Sequence, residues 1–432
     1  MTELAVNGGD PTVTIDQLER WERPVDRHIE AVTNLIDAGE LSGAGAGLPQ
    51  SIEEDFAEYT GADYCLSIDH GSTALASAYY AVGVGPGDEI ITPAAGYLGA
   101  YAGALHMGAR PVFAEVDPDT LLVDPTAVEG HITDRTAAIN LIHKQGRVCD
   151  MDAFLELRNR YDIPIVQDCA HAHGSEWRGE HVGSLPDIAC FSLQGVSPNG
   201  KPIAAGEGGF VTTNDREYYE RQLSYCHLHR RGITDELTMS PYDRLDRQVL
   251  GRKWRAHPLA LAIAAIELES LPDRVAGRLA YRDALFEALE PVAGLRPVTP
   301  YEHSDTDGMY GGLRVVYDPS ALDGLSVERF VEAVRAEGVP MSGPSIGHLE
   351  HRRSITTEGY DLWGKGRGPL GDAWCGLPPF EGYEPGEFPI TEELDDRVLR
   401  IDSFIDPAPG AIEQIVGAIE QVADAAAEMR RR

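Results

Sequence analysis

The chain has 432 residues, 43% of them hydrophobic and 25% charged, with 46 Gly and 28 Pro; this is a globular composition, long enough for two domains of ordinary size. Its 70 acidic residues against 36 basic ones leave a formal charge of −34, a surface that repels phosphate backbones and anionic lipid heads, so neither nucleic acid nor membrane is an expected partner. No apolar run reaches membrane-spanning length, the opening residues lack a signal-peptide pattern, and six scattered cysteines without C-x-x-C spacing read as reduced thiols of a cytoplasmic protein.

In chain order, short apolar runs at 64–68, 89–92, 111–116, 137–142, 163–167, 188–192 and 209–213 alternate with helix-spaced segments at 74–82, 100–107 and 151–161. Runs rich in Val, Ile and Phe that end on small or acidic residues are expected to be strands buried on both faces. Seven of them with interleaved helices predict a mostly parallel, doubly wound α/β sheet. Beyond residue 215 the texture changes. A polar, aromatic stretch at 218–231 is followed by an apolar helix at 258–268 that runs on toward 279–289. Then come a strand at 313–317, a helix at 327–337, a Gly/Pro-rich region at 342–389 and a one-sided helix at 411–429. The predicted organisation is an N-terminal arm (1–25), a large α/β domain (26–262) and a smaller α+β domain (263–432).

Sheets of this kind bind ligands where strand carboxyl ends meet loops. The densest cluster of reactive residues follows one such strand, in Val166-Gln-Asp-Cys-Ala-His-Ala-His-Gly174. Asp168 there has three readings. It caps the next turn, or it ligates a metal with His171 and His173, or it holds a protonated pyridine nitrogen. The third reading requires a lysine within reach. Only four lysines occur in the chain, Lys144, Lys201, Lys253 and Lys365, and Lys201 falls in the loop after the run at 188–192. Where Arg supplies almost every surface cation, a retained lysine points to chemistry a guanidinium cannot do: losing a proton and attacking a carbonyl. Asp69-His-Gly71-Ser72-Thr73 follows the first run and opens a helix, so its backbone N–H groups and hydroxyls suit a phosphate dianion or serve as an ordinary N-cap. Cys226-His227-Leu228-His229 reads as structural or interfacial rather than as a metal site.

Taken together and in order, these pieces resemble the DegT–StrS family of pyridoxal-phosphate (PLP) aminotransferases, known for ketosugars and cyclitol ketones. The resemblance rests on Leu4-Ala-Val-Asn-Gly-Gly, His70-Gly-Ser-Thr-Ala-Leu, Gly85-Pro-Gly-Asp-Glu-Ile-Ile, Gly108-Ala-Arg-Pro-Val-Phe, Gln167-Asp-Cys-Ala-His-Ala-His-Gly, Asp187-Ile-Ala-Cys-Phe-Ser and Gly206-Glu-Gly-Gly, across nearly the whole chain. It implies PLP fold type I, PLP as cofactor, an amino acid donor (glutamate or glutamine), a ketone acceptor, and a homodimer with shared active sites. Carried over residue by residue, Lys201 is the Schiff-base lysine and general base, Asp168 the pyridinium partner and His171 the neighbour of the cofactor hydroxyl. Tyr97 is the aromatic that stacks on the ring, or else a helix-packing residue. Gly71, Ser72, Thr73 and Ser192 are phosphate contacts. Lys253 stands where the family usually has Asn reaching the neighbouring subunit's phosphate; a plain surface lysine is the competing account.

Two departures mark a specialised substrate: about four more residues before Lys201, including Ser197-Pro-Asn-Gly200 beside Gln194, and a long segment at 362–384. Two other chemistries compete. One is a dehydratase or lyase on the same fold, whose water-eliminating members carry His in place of the lysine that is present here. The other is a metal-dependent hydrolase built on Asp168, His171 and His173.

Overall fold

The seven predicted strands assemble into one sheet in this computed structural model, which describes residues 3–44, 47–228, 230, 236–244, 251–304, 310–372 and 374–431. In chain order they are β1 (Tyr64–Ile68), β2 (Glu89–Pro93), β3 (Arg110–Ala114), β4 (Thr136–Ile142), β5 (Ile165–Asp168), β6 (Ile188–Ser192) and β7 (Gly209–Thr213). Across the sheet the order is β1-β7-β6-β5-β4-β2-β3. Every pairing is parallel except the two made by β7, so the other six strands all run one way. Alternate residues of each strand feed the two faces. Ile139, Leu141, Ile165, Ala189 and Phe191 pack into one core, while Ala138, Val166, Ile188 and Cys190 pack into the other. Burial on both sides is why these segments read as continuous apolar runs rather than as alternating ones.

Several boundaries moved for identifiable reasons. The fifth strand begins at Ile165 rather than 163 because Pro164 has no N–H to give the ladder, and Asp168 becomes its last residue. The helix expected from 74 starts at Gly71 and runs to Val82. The continuous helix expected from 258 toward 289 is two helices, Pro258–Glu269 and Leu271–Leu289, since Pro272 fits only the first turn of a new helix. The last helix likewise divides, into Ala411–Asp424 and Ala426–Arg431.

A second, antiparallel sheet has the order β8-β9-β11-β10, with β8 Leu295–Pro297, β9 Leu313–Tyr317, β10 Met341–Ser342 and β11 Val398–Ile401. Its core holds Phe330, Val334, Leu399, Ile401, Ile415 and Ile419, together with Leu4 and Val13 of the N-terminal arm. The arm is tied down by Glu337, whose carboxylate accepts from the N–H groups of Ala5 (2.7 Å) and Thr12 (2.9 Å). The two units meet where Ala95–Gly96 pairs with His348–Leu349. The Gly/Pro-rich lobe is pinned to the large sheet by Arg110, which donates to the carbonyls of Pro369 and Pro378, each at 2.7 Å. Among the described residues no helix is long and apolar enough to cross a membrane.

Candidate active site

Because six strands share a direction, the loops leaving β1, β4, β5 and β6 emerge along one edge of the sheet, and so does the loop entering antiparallel β7. Lys201 lies in the loop from β6 to β7. That loop is zipped at its base: Leu193 N–H donates to Gly208 (2.9 Å), and Gly195 and Gly206 exchange both hydrogen bonds at 2.9 Å. Gly195 has φ +100°, and a Cβ there would lie 2.8 Å from the Cα of Gly200, so a side chain is excluded twice over. The extra residues lean outward onto two helices. Ser197 Oγ donates to buried Glu267 at 2.6 Å, and Arg278 Nη2 donates to the Pro198 carbonyl at 2.9 Å. Gln194 serves through its backbone, accepting the Lys201 N–H at 2.9 Å.

The Lys201 ammonium lies 4.2 Å from the ring centroid of Tyr310. Burial pulls its pKa down to about 8, and the Asp168 charge opposes that shift. Asp168 is only 5% exposed. Burial pushes its carboxyl above the ordinary value, while the Ala170 N–H, donating to Oδ1 at 3.0 Å, and the Lys201 charge pull the other way. The two groups thus stabilise each other's charged forms, the carboxylate buried and the amine half-buried.

His171 stacks on the same Tyr310 ring, with ring centroids 4.3 Å apart at 27°. Its Nδ1 accepts the Gln145 N–H at 3.2 Å, which puts the hydrogen of the neutral ring on Nε2. Burial, with Lys201 and Lys144 nearby, holds its pKa well below the usual value, so the ring is neutral. His173 is fully buried against Phe191, with ring centroids 5.3 Å apart. Among the described residues no three His, Cys, Asp or Glu side chains are grouped to hold a metal ion, so the reading of Asp168, His171 and His173 as a ligand set is corrected. One imidazole nitrogen is spent on a backbone N–H and the other ring faces the core.

The phosphate candidates gather where β1 and β6 end. His70, extended at φ −154°, precedes the helix and gives it no side-chain cap, which leaves the N–H groups of its first turn for a ligand. A Cβ on Gly71 would meet Ser192 Cβ at 2.7 Å, so glycine is what lets these two segments close into a cradle. Ser192 is buried and Ser72 exposed. The Thr73 hydroxyl points back to Asp69 Oδ1 (2.5 Å) and the His70 carbonyl (2.8 Å), so Thr73 offers its backbone N–H instead.

Tyr97 is 60% exposed, its ring 6.4 Å from that of His348. Lys253 is exposed, on a segment that runs past the end of β1, where the Trp254 carbonyl accepts from Asp69 N–H at 2.7 Å. Cys226 and His227 are structural and buried; His227 Nε2 is 3.0 Å from the Ser67 carbonyl. His229 lies outside the described residues. Two neighbours of the site carried no sequence signal of their placement. Tyr310 arrives from the second unit, and Lys144 was visible only as one of four lysines.

The profile of the DegT/DnrJ/EryC1/StrS aminotransferase family matches residues 24–342. The chain belongs to this family. It is 32% identical over 363 residues to an L-glutamine:2-deoxy-scyllo-inosose aminotransferase of Streptoalloteichus tenebrarius, covering 81% of this chain and 82% of that one. It is 28% identical over 450 residues to the L-glutamine:scyllo-inosose aminotransferase of Streptomyces griseus, covering the whole of both. In fold it matches an E. coli GDP-4-keto-6-deoxy-D-mannose-3-dehydratase with bound hydrated PLP (TM-score 0.74, 18% identity, 95% of this chain and 99% of that one). This family member is a PLP-dependent aminotransferase of fold type I. Its residues fit the cofactor: an uncapped helix start and a glycine-closed cradle for the phosphate, a buried carboxylate for the ring nitrogen, and an amine of lowered pKa for the aldehyde.

Proposed function

We propose that the chain moves the amino group of L-glutamine to the ketone of an inosose-type cyclitol, releasing the 2-oxo acid of glutamine and an aminocyclitol. The reading is supported by the two relatives that carry this substrate pair in their names and by one feature of the site. Lys201, with its pKa lowered to about 8, stands as a half-buried amine electrostatically coupled to the buried Asp168 carboxylate.

PLP supplies the electron sink that makes the donor's Cα–H acidic. Lys201 would hold the cofactor aldehyde and, once released, its free Nζ would take the proton from that Cα. A pKa near 8 suits this task, because an appreciable fraction is unprotonated at neutral pH yet the amine remains basic. Asp168 would keep the proton on the pyridine nitrogen. Neutral His171, its Nδ1 already used, would donate from Nε2 to the ring hydroxyl. The N–H groups of Gly71, Ser72 and Thr73, with the Ser192 hydroxyl, would hold the phosphate, and Tyr97 would cover the ring.

A homodimer completes the reading, with Lys253 adding a point charge at the partner's phosphate. The helix Val25–Ala38 supports it by leaving Val25, Ile29 and Ile36 exposed along one face, with Val196 of the Lys201 loop also exposed. All six cysteines are free thiols, which suits a reducing compartment.

The test is a two-stage assay. PLP-loaded enzyme is reacted with L-glutamine, freed of it, and then given scyllo-inosose or 2-deoxy-scyllo-inosose. Recovery of the aldehyde spectrum with formation of an aminocyclitol, and ping-pong kinetics, are expected. A glutamine-treated enzyme that returns its nitrogen to neither ketone would refute the substrate assignment.

A further inference from the structure

Lys144 takes no part in the roles above, yet it stands beside them. It follows β4 directly, on the strand edge that carries Asp168, and its neighbour Gln145 gives its N–H to His171. Its ammonium is buried and donates to the Ala95 carbonyl at 3.3 Å, one residue from Gly96 and two from Tyr97. On its other side Gly347, at φ +130°, comes so close that a Cβ there would be 2.9 Å from Nζ.

Among the described residues no carboxylate forms an ion pair with this ammonium. The acids around it are committed elsewhere. Glu350 is held by Arg353 (2.5 Å) and Tyr101 (2.8 Å), and Asp395 accepts from the Ile346 N–H (2.8 Å) and Ser345 (3.1 Å). Arg147 and Arg314 act on it with the same sign of charge, Asp395 and Glu350 with the opposite one. Burial pulls the pKa of this amine down to about 7, and an anion beside it would hold the charged form.

We propose that Lys144 is the docking group for the α-carboxylate of the amino donor, an inference that rests on the amino acid-to-cyclitol reading above. Across the sheet the phosphate cradle stands at β1 and β6, Asp168 at β5 and Lys144 at β4, on the far side of the ring nitrogen's partner. The phosphate is therefore not its anion. The acceptor is a neutral polyol ketone, which leaves the donor carboxylate as the anionic group to be recognised. A lysine here also separates the two substrates that share the site in turn, since only one of them carries a charge for it to pair with.

Single-turnover reactions of the PLP-loaded enzyme test this with two amines, L-glutamine and the aminocyclitol product, which enters the same half-reaction without a carboxylate. Lys144→Met is expected to weaken the apparent affinity for glutamine by roughly 30-fold or more, and to leave the aminocyclitol reaction within about twofold. Lys144→Arg, which keeps the charge, is expected to retain most of the glutamine affinity. The aminocyclitol arm, run on the same preparations, shows that each variant is folded and loaded. Equal losses for both amines, or no loss for glutamine, would overturn the assignment of Lys144 while leaving the transferase reading intact. Wild-type enzyme that reacts with neither amine would overturn the transferase reading, and this inference with it.

Discussion

The Tyr310 ring touches two site groups, 4.2 Å from the Lys201 ammonium and 4.3 Å from the His171 ring. A cation over an aromatic face is favoured by about 0.5–2 kcal/mol. That attraction works against burial, which drives the lysine toward its neutral form, and burial prevails, since the pKa falls to about 8. The ring also stacks on the imidazole of His171 at 27°.

Tyr310→Phe keeps both ring contacts and should leave the glutamine half-reaction within about threefold of wild type. Tyr310→Ala removes them and should slow it by roughly tenfold, about 1.4 kcal/mol of barrier. Rapid-mixing spectra of the cofactor absorbance give both rates. Equal rates for Ala and Phe would mean that the ring has no positioning role.

Lys201→Ala should abolish amino transfer, and Lys201→Arg should not restore it, because a guanidinium does not give up its proton. Borohydride treatment of loaded wild-type enzyme should fix the cofactor on the peptide containing Lys201 and on no peptide of the Ala variant. Label on Lys144 or Lys253 would displace Lys201 from its assigned role.

Capture of PLP by the apo chain requires the unprotonated Lys201 amine. With a pKa of about 8, the rate should climb about tenfold per pH unit below that value and level off above it. The stability sign follows from the same shift. Between about 8 and the unfolded value of 10.5 the unfolded chain binds more protons, so stability rises with pH across that window. Stopped-flow binding across pH 6–10 reads the first effect; a capture rate that still rises steeply above pH 9 would contradict it.

Asp168→Asn keeps the shape of a buried side chain while removing a carboxylate whose ionised form burial disfavours. The apo fold should be as stable or slightly more so, and transfer should drop by roughly a hundredfold or more as the pyridine nitrogen loses its anionic partner. Thermal unfolding of the apo form and steady-state kcat make the pair of measurements. A large loss of stability would point to a structural role for this carboxylate.

Ser197→Ala removes the hydroxyl that donates to Glu267, a carboxylate also paired with Arg274 at 3.1 Å. Leaving that buried acceptor short of a donor should cost about 1–3 kcal/mol. Because Ser197 anchors the loop bearing Lys201, kcat should fall with it, read from denaturant midpoints alongside turnover. A drop in stability with kcat unchanged would make the extra residues a brace for the helices alone.

The sequence alone determined the sheet and drew out Lys201 and Asp168 as the candidate reacting pair. Strands buried on both faces must be apolar throughout, so β1 to β7 could be read from local composition, and a lysine kept in a chain that otherwise favours Arg drew attention to Lys201. Asp168 was readable for a similar reason, since a carboxylate at the end of an apolar strand calls for a partner. Whether Asp168, His171 and His173 bind a metal was left open by spacing, because ligand types in a row say nothing of where their nitrogens point. Only the tertiary structure decided that His171 faces Tyr310 and Gln145 while His173 turns into the core. It alone brought Tyr310 from the second unit onto Lys201, set Lys144 beside a site assembled from other strands, and tied the extra loop residues to Glu267 and Arg278. Those relationships join residues from tens to more than a hundred positions apart, where local pattern is silent and packing chooses the neighbour.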